Sequence, residues 1–146
     1  MTIVRDIRKA DAAEWRRLWD GYNDFYETSV PAEVTENTLR RLLDPTSSLI
    51  GRIAEADARV AGFSVSVLHE SSWTISPICY LEDLFVDPAV RGEGVGRALI
   101  QDLIDLGRAR AWSQLYWVTR ANNEAARRLY DKFVQADNFV RYRLTL

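Results

Sequence analysis

Apolar and polar positions alternate over residues 2–7, the two-residue period of a strand, and predict an edge or outer strand at the start of the chain. The period then lengthens. Trp15, Leu18, Trp19, Tyr22 and Tyr26 recur at three- and four-residue intervals, the spacing of one helix face. Asp11 stands where an N-cap belongs, and Glu14 three residues later completes a capping-box pattern. Pro31 opens a second predicted helix with Leu39, Leu42 and Leu43 apolar, and Asp44-Pro45 ends it. Residues 49–56 and 59–68 read as strands, with clean alternation at 62–67, joined by a short turn near Asp57, which predicts a hairpin. A polar loop at 70–77 carries Trp73 and leads into a strand at 80–86 that Asp87-Pro88 stops. Helical spacing then runs from Val95 through Leu99, Leu103 and Leu106 to about Ala111. Residues 113–119 read as a further strand, Asn122 as the N-cap of a helix reaching Tyr130, and 138–146 as a closing strand. The order β, α, α, three β, α, β, α, β predicts an α/β domain with a mixed sheet, and 146 residues without repeat or linker suit a single domain, 1–146.

Composition narrows the function. The chain is 47% hydrophobic and 27% charged, as ordinary globular domains are. No apolar run approaches the roughly 20 residues that span a bilayer, and Met-Thr-Ile-Val-Arg-Asp lacks a signal-peptide core. The expectation is a cytoplasmic protein with no membrane partner. One cysteine, Cys79, and one histidine, His69, exclude an internal disulfide and leave no metal site to expect; both read as structural residues. The net charge of −2 is unevenly spread: −2 over residues 1–50, −4 over 51–87 and +4 over 88–146. No long basic run points to nucleic acid. Between Asp20 and Glu36, the acids Asp20, Asp24, Glu27, Glu33 and Glu36 interleave with Tyr22, Phe25 and Tyr26. This stretch is either a solvated helical face over a core stripe or an acidic, aromatic rim that attracts a cationic amine.

The chemistry concentrates after the strand at 80–86, where glycines stand at 92, 94 and 96 before a helix. Glycine lets the backbone approach a ligand at positive φ, and the unpaired first amides of a helix, aided by its dipole, bind an anion. A P-loop is excluded, because Gly96 is followed by Arg97-Ala98 and not by Lys-Ser/Thr. The Gly-x-Gly-x-x-Gly dinucleotide fingerprint is also absent.

What fits is Arg91-x-x-Gly94-x-Gly96, which resembles the pyrophosphate-binding signature of the GNAT family of N-acetyltransferases. One strand further on, after Tyr116-Trp117-Val118-Thr119, Asn123-x-x-Ala126-x-x-Leu129-Tyr130 resembles the second signature of the same family. The resemblance spans nearly the whole chain and is strongest over 80–130. It implies the GNAT acyl-CoA N-acyltransferase fold: a mixed, mostly antiparallel sheet, splayed at the cofactor site and flanked by about four helices. It implies acetyl-CoA as cosubstrate, with main-chain groups of Leu84, Phe85 and Val86 along its pantetheine arm. Arg91, Gly92, Gly94, Val95, Gly96 and Arg97 would then hold the pyrophosphate, and Asn123 would contact the cofactor near the pantetheine.

The implied reaction is direct transfer of acetyl to an amine in a ternary complex. Tyr130 matches the family's general acid; a phenol with pKa near roughly 10 is protonated at neutral pH and can donate to sulfur. Tyr80-Leu81-Glu82-Asp83-Leu84-Phe85-Val86 resembles the corresponding strand of the diamine (spermidine/spermine) acetyltransferase branch, which makes Glu82 the expected base and Asp83 its electrostatic or structural partner. Adjacent strand residues point to opposite faces, so only one carboxylate is expected to face the acceptor. That branch carries a glycine soon after the tyrosine helix, absent here at 131–135; the tail from Asn138 resembles instead the branch of yeast histone- and D-amino-acid-acetylating enzymes. The expected acceptor is a small, cationic primary amine, polyamine-like or an amino acid. A protein lysine acetyltransferase and a non-catalytic acyl-CoA-binding module are the alternatives. Small GNAT domains often pair through their C-terminal strands, so a homodimer is expected as well.

Overall fold

The computed structural model describes all 146 residues and contains one five-stranded sheet in the order β1-β2-β3-β4-β5. The strands are β1 (Thr2–Asp6), β2 (Leu49–Ala56), β3 (Arg59–His69), β4 (Ile78–Val86) and β5 (Gln114–Trp117). The first four pair antiparallel and β5 joins β4 in parallel, so the sheet is mixed and mostly antiparallel, as expected. Four helices flank it: α1 (Ala12–Phe25), α2 (Ala32–Leu42), α3 (Val95–Ala109) and α4 (Glu124–Tyr130).

The two faces of the sheet follow directly from strand alternation. On one face Ile53, Phe63, Val65 and Phe85 pack against Trp15, Leu18 and Trp19 of α1 and Leu39 and Leu42 of α2. On the other, Ala54, Ala56 and Ala61 are small, which lets Val95 and Leu99 of α3 approach closely. Leu81 joins Ile100 and Leu103 of α3 there, with Leu129 and Phe133 at the edge. Trp15, Phe63 and Leu99 are each at most 1% exposed, and burial of such a side chain is worth roughly 1.5–3 kcal/mol. The β2–β3 hairpin closes through Asp57 and Ala58, both left-handed (φ 51° and 61°), a backbone twist that matches the twist of the strands.

Three local expectations change. Asp11 does not box with Glu14: its carboxylate accepts from the Arg8 amide (2.7 Å) and grips the Arg5 guanidinium, while Glu14 pairs with Arg17. The cap of α4 is Asn123 and not Asn122, because Asn123 Oδ1 accepts from the Ala126 amide. The closing strand at 138–146 does not form; the segment pairs with none of the five strands and exposes Phe139, Tyr142 and Leu144. Alternation there is real, but alternation alone makes no ladder, and Arg141 and Arg143 of this segment line the cavity beside β4 without pairing to it.

Candidate active site

The site is created by a fault in the pairing of β4. On the β3 side, Val65 lies opposite Asp83 and Ser66 opposite Leu81, so Glu82 is the extra residue of a β-bulge. On the β5 side, pairing ends at Leu81–Trp117, and β4 runs on alone from Glu82 to Val86. The sheet therefore splays open. The main chain of Leu84, Phe85 and Val86 is paired to Ser64, Phe63 and Gly62 of β3 and has no strand on its other side.

A cavity of about 570 Å³ occupies this opening. Its floor is β4, from Tyr80 to Leu84; Tyr22 and Tyr26 wall one side, Trp117 to Arg120 and Tyr130 another, and Arg141 and Arg143 of the C-terminal segment complete the lining. The bulge overturns the expectation that only one carboxylate faces the acceptor. Both Glu82 and Asp83 line the same cavity. They differ in surroundings. Glu82 is exposed, whereas burial, opposed by the Tyr22 hydroxyl and reinforced by the negative charge of Glu82, raises the Asp83 carboxyl to about 6. Tyr22 facing it is raised too, by burial and then by the Asp83 charge.

Tyr130 ends α4 with its ring edge-on to Trp117 (5.6 Å between centroids). Burial pushes its phenol up to about 12, so it holds its proton across the working range. Cys79 is fully buried and its thiol is pushed up to about 11 by that burial, which leaves it inert as a nucleophile. His69 lies outside the cavity, its Nε2 3.0 Å from the Tyr116 hydroxyl.

The glycine turn follows β4 after a single 3-10 turn at Pro88–Val90. Gly92 and Gly94 have φ of +87° and +82°, and a Cβ on either would meet nothing within 4 Å: the requirement is conformational, with open space above. Gly94 caps α3, whose first intrahelical amide is that of Ala98, donating to the Gly94 carbonyl (3.0 Å). The amides of Val95, Gly96 and Arg97 precede it in the first turn, free for an anion. Val95 itself is buried and pins the helix start, and Arg97 is exposed on the same turn. Gly96 serves packing: a Cβ there would press on Leu129 of α4 at 3.2 Å. Arg91 turns back, its Nε donating to the Val86 carbonyl (3.3 Å) and its guanidinium 5.5 Å from the Phe25 and Phe85 rings. Asn123 spends its side chain inside the protein, capping α4 and donating to Thr119 Oγ1 (3.2 Å), which fixes a residue of the cavity wall. An open backbone edge, a positive-φ turn and free amides are what an extended pantetheine arm ending in a diphosphate requires, so these residues fit acetyl-CoA.

The acidic stretch 20–36 does not gather at the cavity. Glu36 pairs with Arg16 on the surface (2.6 Å), and Asp24 lines a smaller pocket of about 350 Å³ beside Arg17 and Arg91. Only the aromatic members Tyr22 and Tyr26 reach the site. Conversely, Arg120, Arg141 and Arg143 line it without having been singled out from the sequence. The two-residue spacing of Arg141 and Arg143 was the available signal.

Comparison with known proteins agrees with this geometry. The profile of the Acetyltransferase (GNAT) family matches residues 15–134. D-amino-acid N-acetyltransferase HPA3 of Saccharomyces cerevisiae is 33% identical over 143 residues, covering 97% of this chain and 89% of its own. Thialysine N-epsilon-acetyltransferase of Mus musculus is 26% identical, covering 95% and 86%. Among solved structures, AAC(6')-Iy in complex with a CoA-S-monomethyl-acetylneamine bisubstrate analogue superposes with a TM-score of 0.81 at 21% identity, over 100% of this chain and 99% of its own, which establishes likeness of fold.

Proposed function

The chain belongs to the GNAT acetyltransferase family and is an acetyl-CoA-dependent N-acetyltransferase, and on that ground we propose that it acetylates the primary amine of a small acceptor by direct attack in a ternary complex. The observation that carries this reading is the convergence of Glu82, Asp83 and Tyr130 on one cavity at the splayed edge of β4. When bound, acetyl-CoA supplies the activated acetyl group. The residues supply binding and proton transfer. The amides of the 94–97 turn and the open edge of Leu84 to Val86 orient the cosubstrate, with Arg97 adding charge.

The acceptor enters as an ammonium cation, drawn to the Glu82–Asp83 wall, and must lose a proton before its nitrogen can attack. Sequence reasoning assigned that proton to Glu82. Burial makes Asp83 the better-matched base, since a carboxyl near 6 is ionised at neutral pH yet holds a proton appreciably. Tyr130, protonated up to about 12, delivers a proton to the leaving sulfur. Tyr22, Tyr26 and the two arginines of the tail that help enclose the cavity favour a compact acceptor over a protein substrate lying in an open groove.

The reading takes residues 1–146 as one catalytic domain acting in the cytoplasm. No helix is long and apolar enough to cross a membrane. It also includes a homodimer, because Val140, Tyr142, Leu144 and Leu146 of the tail are apolar and exposed at 76% or more. The test is thiol release from acetyl-CoA across a broad amine panel. Amine-dependent turnover is expected, and none with any amine refutes the acceptor reading.

A further inference from the structure

Charged side chains that form no ion pair within a folded protein, yet share a cavity, are available to a ligand. The acceptor cavity holds five: Glu82, Asp83, Arg120, Arg141 and Arg143. None takes part in any of the protein's seven ion pairs, although Arg5, Arg16, Arg17 and Arg52 elsewhere are all matched with carboxylates. With both carboxylates ionised the five sum to +1, so the cavity is not acidic. It has two sides of opposite sign: the acids on β4, and the arginines on the β5 side and on the C-terminal segment. A polyamine, cationic at every nitrogen, would meet two or three guanidinium groups beyond the pair of acids. A molecule with one ammonium and one carboxylate matches both sides.

The tail explains how two of the arginines arrive together. Along 140–146, exposed apolar residues occupy 140, 142, 144 and 146, and Arg141 and Arg143 stand between them. Both arginines line the cavity, and the charge of Arg141 acts on Tyr80 in its floor. We propose that Arg141 and Arg143 form a carboxylate-recognition subsite, and that the acceptor is a small amino acid or comparable amino-carboxylate, its amine at Glu82–Asp83 and its carboxylate on these guanidiniums. The planar fork of arginine suits a carboxylate, and such charge-assisted contacts are the strong ones. The proposal rests on the acetyltransferase reading above and specifies its acceptor.

The test compares amino acids of both hands with their carboxamides and with the matching amines that lack the carboxyl, by thiol release from acetyl-CoA. In the wild-type protein kcat/KM is expected to be higher for the carboxylate-bearing member of each pair. Arg141→Gln and Arg143→Gln should each reduce that preference about 10- to 100-fold, the loss of one charge-assisted contact, at unchanged KM for acetyl-CoA. Arg141→Lys, which keeps the charge, should recover part of it, and Arg110→Gln, outside the cavity, should leave it intact. Equal use of carboxyl-free amines by the wild type overturns the proposal. So does a preference unchanged in both glutamine variants, or a loss that appears as a raised KM for acetyl-CoA. Absence of turnover with every amine would instead remove the parent reading, and the subsite with it.

Discussion

Asp83→Asn should make the protein more stable at neutral pH and far less active. The structure places this carboxyl in a buried position against Tyr22, where its pKa rises from 3.8 to about 6. At 1.36 kcal/mol per pH unit, that difference between folded and unfolded chains amounts to roughly 3 kcal/mol. The native state binds the proton more tightly than the unfolded chain does. Below about 3.8 the group is protonated in both states and costs nothing. As pH climbs through 6 the native carboxyl must ionise in a poorly hydrated place, and the cost grows to its full value. Asparagine has the same shape and cannot ionise, so the variant escapes this term. Urea denaturation at pH 4 and pH 8 should therefore find wild type and variant nearly equal at the lower pH, and the variant more stable by about 1–3 kcal/mol at the higher, the range allowing for an altered contact with Tyr22. In the same proteins kcat/KM for the wild type should fall on an acidic limb near pH 6. The variant should lose about 10²- to 10⁴-fold in rate, and with it the limb. A stability difference that does not change with pH would refute the burial argument. A limb that persists in the variant would return the proton to Glu82.

Tyr130→Phe removes the proton donor while keeping the ring against Trp117, so kcat should fall about 10²- to 10³-fold with KM for acetyl-CoA nearly unchanged, read by steady-state thiol release. Gly94→Ala forces an L-residue into φ +82° at the cap of α3; calorimetry should show weaker coenzyme A binding, and denaturation a loss of about 1–2 kcal/mol. Ala58→Gly at the hairpin turn relieves φ +61° and should raise stability by about 0.5–1 kcal/mol, seen as a higher urea midpoint. Light scattering at micromolar concentration should report a dimer, and deleting residues 138–146 should give a monomer; a monomeric intact chain would refute pairing through the tail.

Much of this architecture was readable from local pattern. The helix face Trp15, Leu18, Trp19 became the buried side of α1, and the alternation of Ile53 with Ala54 became the two faces of β2, because periods of 3.6 and 2 are set by backbone geometry alone. The turn at Gly92–Gly94 was equally legible: its positive φ is a requirement written in the residue type. Where sequence reasoning went astray, a competing polar group decided the outcome. Asp11 fitted a cap by spacing, and Arg5 and the Arg8 amide took its oxygens instead.

Element order as far as α4, apolar faces, the glycine turn and the register of Tyr130 on its helix were therefore determined by the sequence, since each depends on residues a few positions apart. Tertiary structure decided that Glu82 bulges, so that both acids share one cavity, and that β4 parts from β5 beyond Leu81. It also decided that Asp83 is buried enough to hold a proton near pH 6, and that the tail brings Arg141 and Arg143 to the cavity without completing the sheet. Those features arise from pairing register and desolvation, which depend on groups brought together from across the chain, and no local period encodes them.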